Sequence, residues 1–156
     1  EMGIPEGRVQ VARPDEPFDL DGDLHVEPQR ALHGDKSFAV YRHANFEDCG
    51  YLFDFGGKRI LQPGDTVLLQ QHLELEPVQV LFVSPTVHNT YIDRSVTLIN
   101  HLEPEYVFPQ HFGTYREAED NLFWTRGYPD ELKSALPPKL RPRFHKLNQG
   151  RVFEIG

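Results

Sequence analysis

The sequence predicts a mixed α/β domain whose front half is mostly β. Three observations carry that prediction. The 156 residues include 38% hydrophobic and 26% charged side chains, within the range of globular proteins and enough for one domain with a buried core. Short extended segments punctuated by Gly, Pro and Asp fill the first half. From about residue 78 onward, single strands alternate with segments of helical period.

Taken in order, residues 8–11 (RVQV), 24–26 (LHV), 37–41 (SFAVY), 51–55 (YLFDF) and 58–61 (KRIL) are β-branched, aromatic or alternating, and each is expected to be a strand of a meander. Gly56-Gly57 joins the last two as a tight hairpin, because the central residues of such a turn need positive φ. Residues 78–83 (VQVLFV) read as a buried strand. Asp93 is placed to cap a helix carrying Val96, Ile99 and Leu102 on one face. Residues 106–108 (YVF) form another strand closed by Pro109, and a helix is expected over parts of 115–124. Asp130 caps a short helix through Leu136, which Pro137-Pro138 stops. Residues 144–147 and 151–155 finish the chain as a hairpin turning at Gln149-Gly150.

Charge and composition exclude several classes of function. Sixteen Lys and Arg against 24 Asp and Glu leave a net charge of −8, which repels phosphate polymers at long range, so nucleic acid is not an expected partner. No run approaches the roughly 18 apolar residues of a membrane helix. Residues 1–5 (EMGIP) lack the basic-then-apolar pattern of a secretion signal, so no membrane association is expected. Cys49 is the single cysteine; it can form no internal disulfide and no Cys-x-x-Cys metal pair, which fits a reducing, cytoplasmic setting. The charge is also uneven. Lys133, Lys139, Arg141, Arg143, Lys146 and Arg151 fall within 19 residues that contain no acid. That stripe reads as a solvated face, as a docking surface for an acidic patch of the same or another chain, or as a site for a small anion.

Two residues stand out by context. Asp65 follows the strand 58–61 after Gln62-Pro63-Gly64, and His111 follows the strand 106–108 after Pro109-Gln110. Each is delivered just beyond the end of an apolar strand, where ligands collect in open α/β sheets. A carboxylate and an imidazole at two such ends can share a borderline metal such as zinc. Taken singly, Gly64-Asp65-Thr66 is equally an ordinary turn, and a lone His is equally a hydrogen-bonded structural residue.

The order of segments is more specific. Residues 50–66 (GYLFDFGGKRILQPGDT), then 80–85 (VLFVSP), then 102–115 (LEPEYVFPQHFGTY) resemble the C-terminal half of the metallo-β-lactamase superfamily, nearest the branch that contains L-ascorbate-6-phosphate lactonase. The resemblance extends upstream through residues 3–8 (GIPEGR) and 31–34 (ALHG). It implies an αββα sandwich and metal-dependent hydrolysis of a lactone or phosphoester at two zinc ions, with manganese as the alternative in this branch. On that basis Asp65 matches the carboxylate that bridges the ions and His111 the late histidine of the second site. His33 matches the histidine that completes the first. Thr66, Thr114 and Tyr115 are candidates to orient these ligands, and His88, Asn89, Tyr91 and Trp124 to line the substrate pocket.

One departure from the family bears on all of this. The superfamily's His-x-His-x-Asp-His cluster is absent; His25, His43, His72, His88, His101 and His145 are scattered without that spacing. A catalytic zinc takes three protein ligands and an open position, so these residues do not fill two such sites. The expectation is therefore that the chain supplies the second sheet and its helices, oligomerises or remains associated with an N-terminal half carrying the cluster, and is inactive without it. The competing reading is a non-catalytic half-domain that serves assembly or binds a small anion.

Overall fold

The computed structural model describes residues 3–20, 22–35, 37, 39–112, 129–148 and 150–156. Six strands form one sheet in sequential order: β1 (Phe18–Leu20), β2 (Leu24–Arg30), β3 (Cys49–Phe55), β4 (Lys58–Gln62), β5 (Val80–Val83) and β6 (Tyr106–Pro109). β1 to β4 form an antiparallel meander in which β2, β3 and β4 match expected strands, and β4, β5 and β6 run parallel. Gly56 and Gly57 both have positive φ and close the β3–β4 hairpin. Helix α1 (Tyr91–Leu102) connects β5 to β6, and a short helix α2 (Pro129–Ala135) follows later in the chain.

Two registered rows of side chains define the layers. Leu52, Leu61, Leu81 and Val107 lie side by side across β3, β4, β5 and β6, and all are buried. Leu98, Ile99 and Leu102 of α1, Leu132 of α2, and Leu136, Leu140 and Phe144 join them in one core. The α1 face is the i, i+3, i+4, i+7 set Ser95, Leu98, Ile99 and Leu102, while Val96 packs at its margin. The alternate row points to the other side of the sheet and is differently covered. Phe53, Ile60 and Phe82 are only half-buried there, and Phe153 from the chain's last segment packs edge-on against Phe108 and Tyr106. A groove of about 230 Å³ remains between Ile60, Phe82, Phe108 and Ile155.

Several expected elements take another form. Residues 8–11 are not a strand: the segment follows a 3-10 turn over Glu6–Arg8 and pairs with no strand among the described residues, and Val9 and Val11 are exposed. Among the described residues of 37–41, Val40 alone forms a β-bridge, with Gly34. β1 was not expected, and β2 runs on through Pro28. That proline is tolerated because its carbonyl, and hence its nitrogen, faces the outer edge beyond β1, where Asp15 N–H donates to Pro28 O at 3.1 Å. α1 begins at Tyr91, so Asp93 lies in its first turn instead of capping it. The closing hairpin is reduced to a bridge between Phe144 and Val107 and a turn in which Arg151 N–H bonds Asn148 O. The helix expected within 115–124 lies outside the described residues. Among the described residues, no helix is long and apolar enough to cross a membrane.

Candidate functional site

Strand direction assembles the site. β2 is antiparallel to β3, which is antiparallel to β4, so β2 runs the same way as β4, β5 and β6. The carboxyl ends of these four strands therefore lie along one edge of the sheet. His33 follows β2, Asp65 follows β4, His88 and Asn89 follow β5, and His111 follows β6. The His88 ring stacks on His33 with centroids 5.1 Å apart and meets His111 edge-on, also at 5.1 Å.

The Asp65 carboxylate is the hub of the cluster. Its Oδ2 lies 3.1 Å from His111 Nε2, and its Oδ1 accepts a hydrogen bond from Asn89 Nδ2 at 3.2 Å. Burial pushes the Asp65 carboxyl up, but the His111 hydrogen bond and the charges of His111, His33 and His88 outweigh it and hold the group below its ordinary value. The hydrogen bond from Asp65 raises His111 above the usual imidazole value, against the opposing effect of burial. His88 is pushed down to about 4, by burial first and then by the charges of His111 and His33, with Asp65 acting the other way. His33 donates from Nδ1 to Gly34 O at 2.7 Å, which leaves Nε2 as the nitrogen able to ligate.

Backbone geometry sets these positions. Gly64 has φ +72° and turns the chain from β4 to Asp65. His111 takes φ +59° and Tyr91 φ +52°, left-handed values that cost a non-glycine residue of order 1 kcal/mol and recur at functional sites. Thr66 is fully buried; its Oγ1 accepts from Leu32 N–H at 3.0 Å and donates to Val67 O at 2.8 Å, fixing the segment that carries His33. Asn89 is also fully buried, held by Thr86 Oγ1 at 3.0 Å, so it orients Asp65 from behind. Thr114, Tyr115 and Trp124 lie outside the described residues.

A carboxylate and imidazoles are the donor types a zinc or manganese ion takes. Among the described residues, however, no three His, Cys, Asp or Glu side chains stand so that they could hold an ion together. The donor set fits such a metal in chemistry and is partial in number.

No protein-family model and no curated protein sequence matches this chain. Solved structures do. Igni18, a metallo hydrolase from Ignicoccus hospitalis, superposes with a TM-score of 0.67 at 21% identity over 93% of this chain and 60% of its own. A candidate metal-dependent hydrolase from Parabacteroides distasonis gives 0.65 at 18% identity over 90% of this chain and 58% of its own. A candidate zinc-dependent hydrolase of the metallo-β-lactamase superfamily from Thermotoga maritima gives 0.54 at 16% identity, over 80% and 57%. The fold is the metallo-β-lactamase fold. This chain spans about three fifths of the length of these three proteins.

Within this metallo-β-lactamase-fold sheet, two residues that sequence reasoning passed over join the strand ends. Gln62, the last residue of β4, and Gln110, just after β6, exchange side-chain amide hydrogen bonds of 2.6 and 2.8 Å across the end of β5. Their only signal in the sequence is position, since each closely precedes a candidate ligand. The basic stripe also acquires a role. Arg141 donates to Leu136 O and Ser134 O, both at 2.9 Å, at the end of α2. Arg143 donates to Glu103 O at 2.9 Å and Pro104 O at 3.0 Å, just past the end of α1. Lys139 pairs with Glu103 and Lys146 with Asp130. The guanidinium groups thus satisfy carbonyls at the end of α2 and at and just beyond the end of α1. Replacing Arg141 or Arg143 by alanine is expected to cost about 1 to 2 kcal/mol each, read as a lower urea midpoint.

Proposed function

We propose that this chain forms the C-terminal part of a metal-dependent hydrolase acting on a lactone or phosphoester, in the L-ascorbate-6-phosphate lactonase-like branch of the metallo-β-lactamase superfamily. The observation that carries the reading is the convergence of His33, Asp65, His88 and His111 at the carboxyl ends of four like-directed strands. Structures of the same fold named as metal-dependent hydrolases support it.

Asp65, His111 and His33 would be this chain's ligands to the metal; zinc fits these donors and manganese is the alternative. Ions bound there would supply Lewis-acid polarisation and an activated water. The chain's own residues prepare the site. Asn89 fixes one oxygen of Asp65, Thr66 fixes the backbone beside His33, and His88 stays neutral between two imidazoles. His88, Tyr91 and Trp124 are the pocket residues of this reading. The remaining ligands would come from a segment carrying the His-x-His-x-Asp-His cluster, packed on the half-buried sheet face of Phe53, Ile60 and Phe82.

The test is elemental analysis of the protein copurified with that segment, followed by hydrolysis of lactone and phosphodiester panels, before and after Asp65→Ala. Metal content and turnover are each expected to fall at least about 100-fold, since loss of orienting partners alone costs about 10- to 100-fold. Metal content and hydrolysis that survive Asp65→Ala would refute the proposal.

A further inference from the structure

We propose that Gln62, Gln110 and Ser84 form a brace that sets the separation of Asp65 from His111, making Gln62 and Gln110 positioning residues of the site. This inference rests on the reading of Asp65 and His111 as ligands. The two residues belong to different strand ends, and nothing covalent nearby ties those ends together: 48 residues separate Gln62 from Gln110. Gln62 Nε2 donates to Gln110 Oε1 at 2.6 Å, and Gln110 Nε2 donates to Gln62 Oε1 at 2.8 Å, so each amide is both donor and acceptor to the other.

Each end of the pair is anchored in turn. Gln110 Nε2 also donates to Ser84 Oγ at 3.0 Å, and Ser84, just after the intervening strand β5, is buried. Gln110 N–H donates to Val83 O at 2.9 Å, which fixes the backbone immediately before His111. On the other side, Gly64 N–H donates to Gln62 Oε1 at 3.2 Å, which fixes the backbone immediately before Asp65. A continuous chain of hydrogen bonds thus runs from the Asp65 turn, through both amides, to the His111 turn. Gln62 and Gln110 are only partly buried, so their packing is modest and the directional bonds are what they contribute. Those bonds specify a spacing, and a spacing is what two ligands from separate strands require.

Gln62→Met and Gln110→Met keep side-chain length and remove the amide, whereas Gln62→Glu keeps the acceptor toward Gly64 and Gln110 but loses the donor. Gln79→Met is the control: Gln79 Oε1 accepts from Arg59 N–H at 2.8 Å, an equivalent bond to β4 away from the site. Two readouts are taken, the ring-nitrogen NMR signals of His111 in metal-free protein at one fixed pH, and the Zn²⁺ affinity of the protein copurified with the segment carrying the His-x-His-x-Asp-His cluster, by competition with a chromophoric chelator. The expected result is that both Met variants shift the His111 signals and weaken Zn²⁺ binding at least about tenfold. Gln62→Glu should fall between them and the wild type, and Gln79→Met should change neither readout. His111 signals unchanged in both Met variants overturn the brace, as does an equal shift in Gln79→Met. If the signals move as expected but the wild type copurified with the segment carrying the His-x-His-x-Asp-His cluster takes up no Zn²⁺, the brace stands and the metal-dependent reading falls.

Discussion

Acidification from about pH 7 to about pH 4 is expected to remove several kcal/mol of folding stability from the metal-free protein, through two buried imidazoles. His72 is fully buried in the 3-10 turn Gln70–Leu73. Its Nδ1 accepts from Leu69 N–H at 3.1 Å, so the ring is neutral with its proton on Nε2, which has no hydrogen-bond partner among the described residues. Burial lowers His72 from 6.5 to about 4. His88 is lowered to about 4 as well, by burial and then by its histidine neighbours. Between these values and 6.5 the unfolded chain binds protons that the folded chain refuses, so stability is full above about 6.5 and falls as pH drops toward 4. Each group accounts for about 3 kcal/mol over that range.

The Asp65–His111 pair has a different window. The depressed Asp65 stabilises above its unfolded value of 3.8 and loses that contribution as pH falls through its folded value. The raised His111 stabilises below 6.5 and loses that contribution as pH rises through its folded value. The pair is therefore strongest between the two and offsets only part of the histidine loss, being about 40% exposed and open to solvent screening. Urea midpoints measured across this range on chelator-treated protein check the expectation. His72→Asn, which keeps an acceptor for Leu69 N–H, should flatten about half of the acid slope. A slope that His72→Asn leaves unchanged would show that the instability arises elsewhere.

Gly34→Ala is expected to destabilise the protein by about 3 kcal/mol, at the upper end of overpacking effects. A Cβ at Gly34 would stand 2.5 Å from the His88 carbonyl oxygen and 2.5 Å from Val67 Cγ1. The first of these is backbone, already engaged with Gly34 N–H at 2.9 Å, and cannot rotate away. The Gly34 φ lies outside the left-handed region, so the cost is steric and reports how closely the β2 and β5 ends approach. Relief requires moving the His33 segment from the His88 segment, which would break the stacked rings. The melting temperature should drop by roughly 10 °C for a chain of this size. Gly7→Ala, where a Cβ meets nothing within 4 Å, is the matched control and should change little. Equal melting temperatures for the two variants would contradict the close approach.

The elements read well from the sequence are those whose signal is local. Gly56-Gly57 can hardly be anything but a tight turn between alternating segments, and the strands on either side formed as expected. The stretch from residue 78 to 109 likewise carried its own period and its own breaker. Elements that depend on a distant partner were misread. Residues 8–11 and 37–41 have strand composition, but a strand exists only where the backbone pairs, and among the described residues 8–11 pairs with no strand and 37–41 bridges only at Val40. β1 and the extension of β2 through Pro28 were missed for the converse reason. Pro28 argues against a strand until it is known which edge its nitrogen faces.

The site divides in the same way. Asp65 and His111 were legible because each sits just past a strand, and His33 became legible through the resemblance alone. The amide brace and the Arg143 cap beside α1 were not, because hydrogen bonds between residues 39 to 48 apart leave no periodic trace in the chain. What the sequence by itself determined was the fold class, the strand and helix pattern of the second half, and the delivery of candidate ligands to strand ends. Local propensity and hydrophobic period act between near neighbours and suffice for that. The tertiary structure alone decided that β2 runs with β4, β5 and β6, so that His33 joins Asp65, His88 and His111 at one edge. Strand direction within a sheet is a property of pairing, and pairing is settled by contacts that no single segment contains.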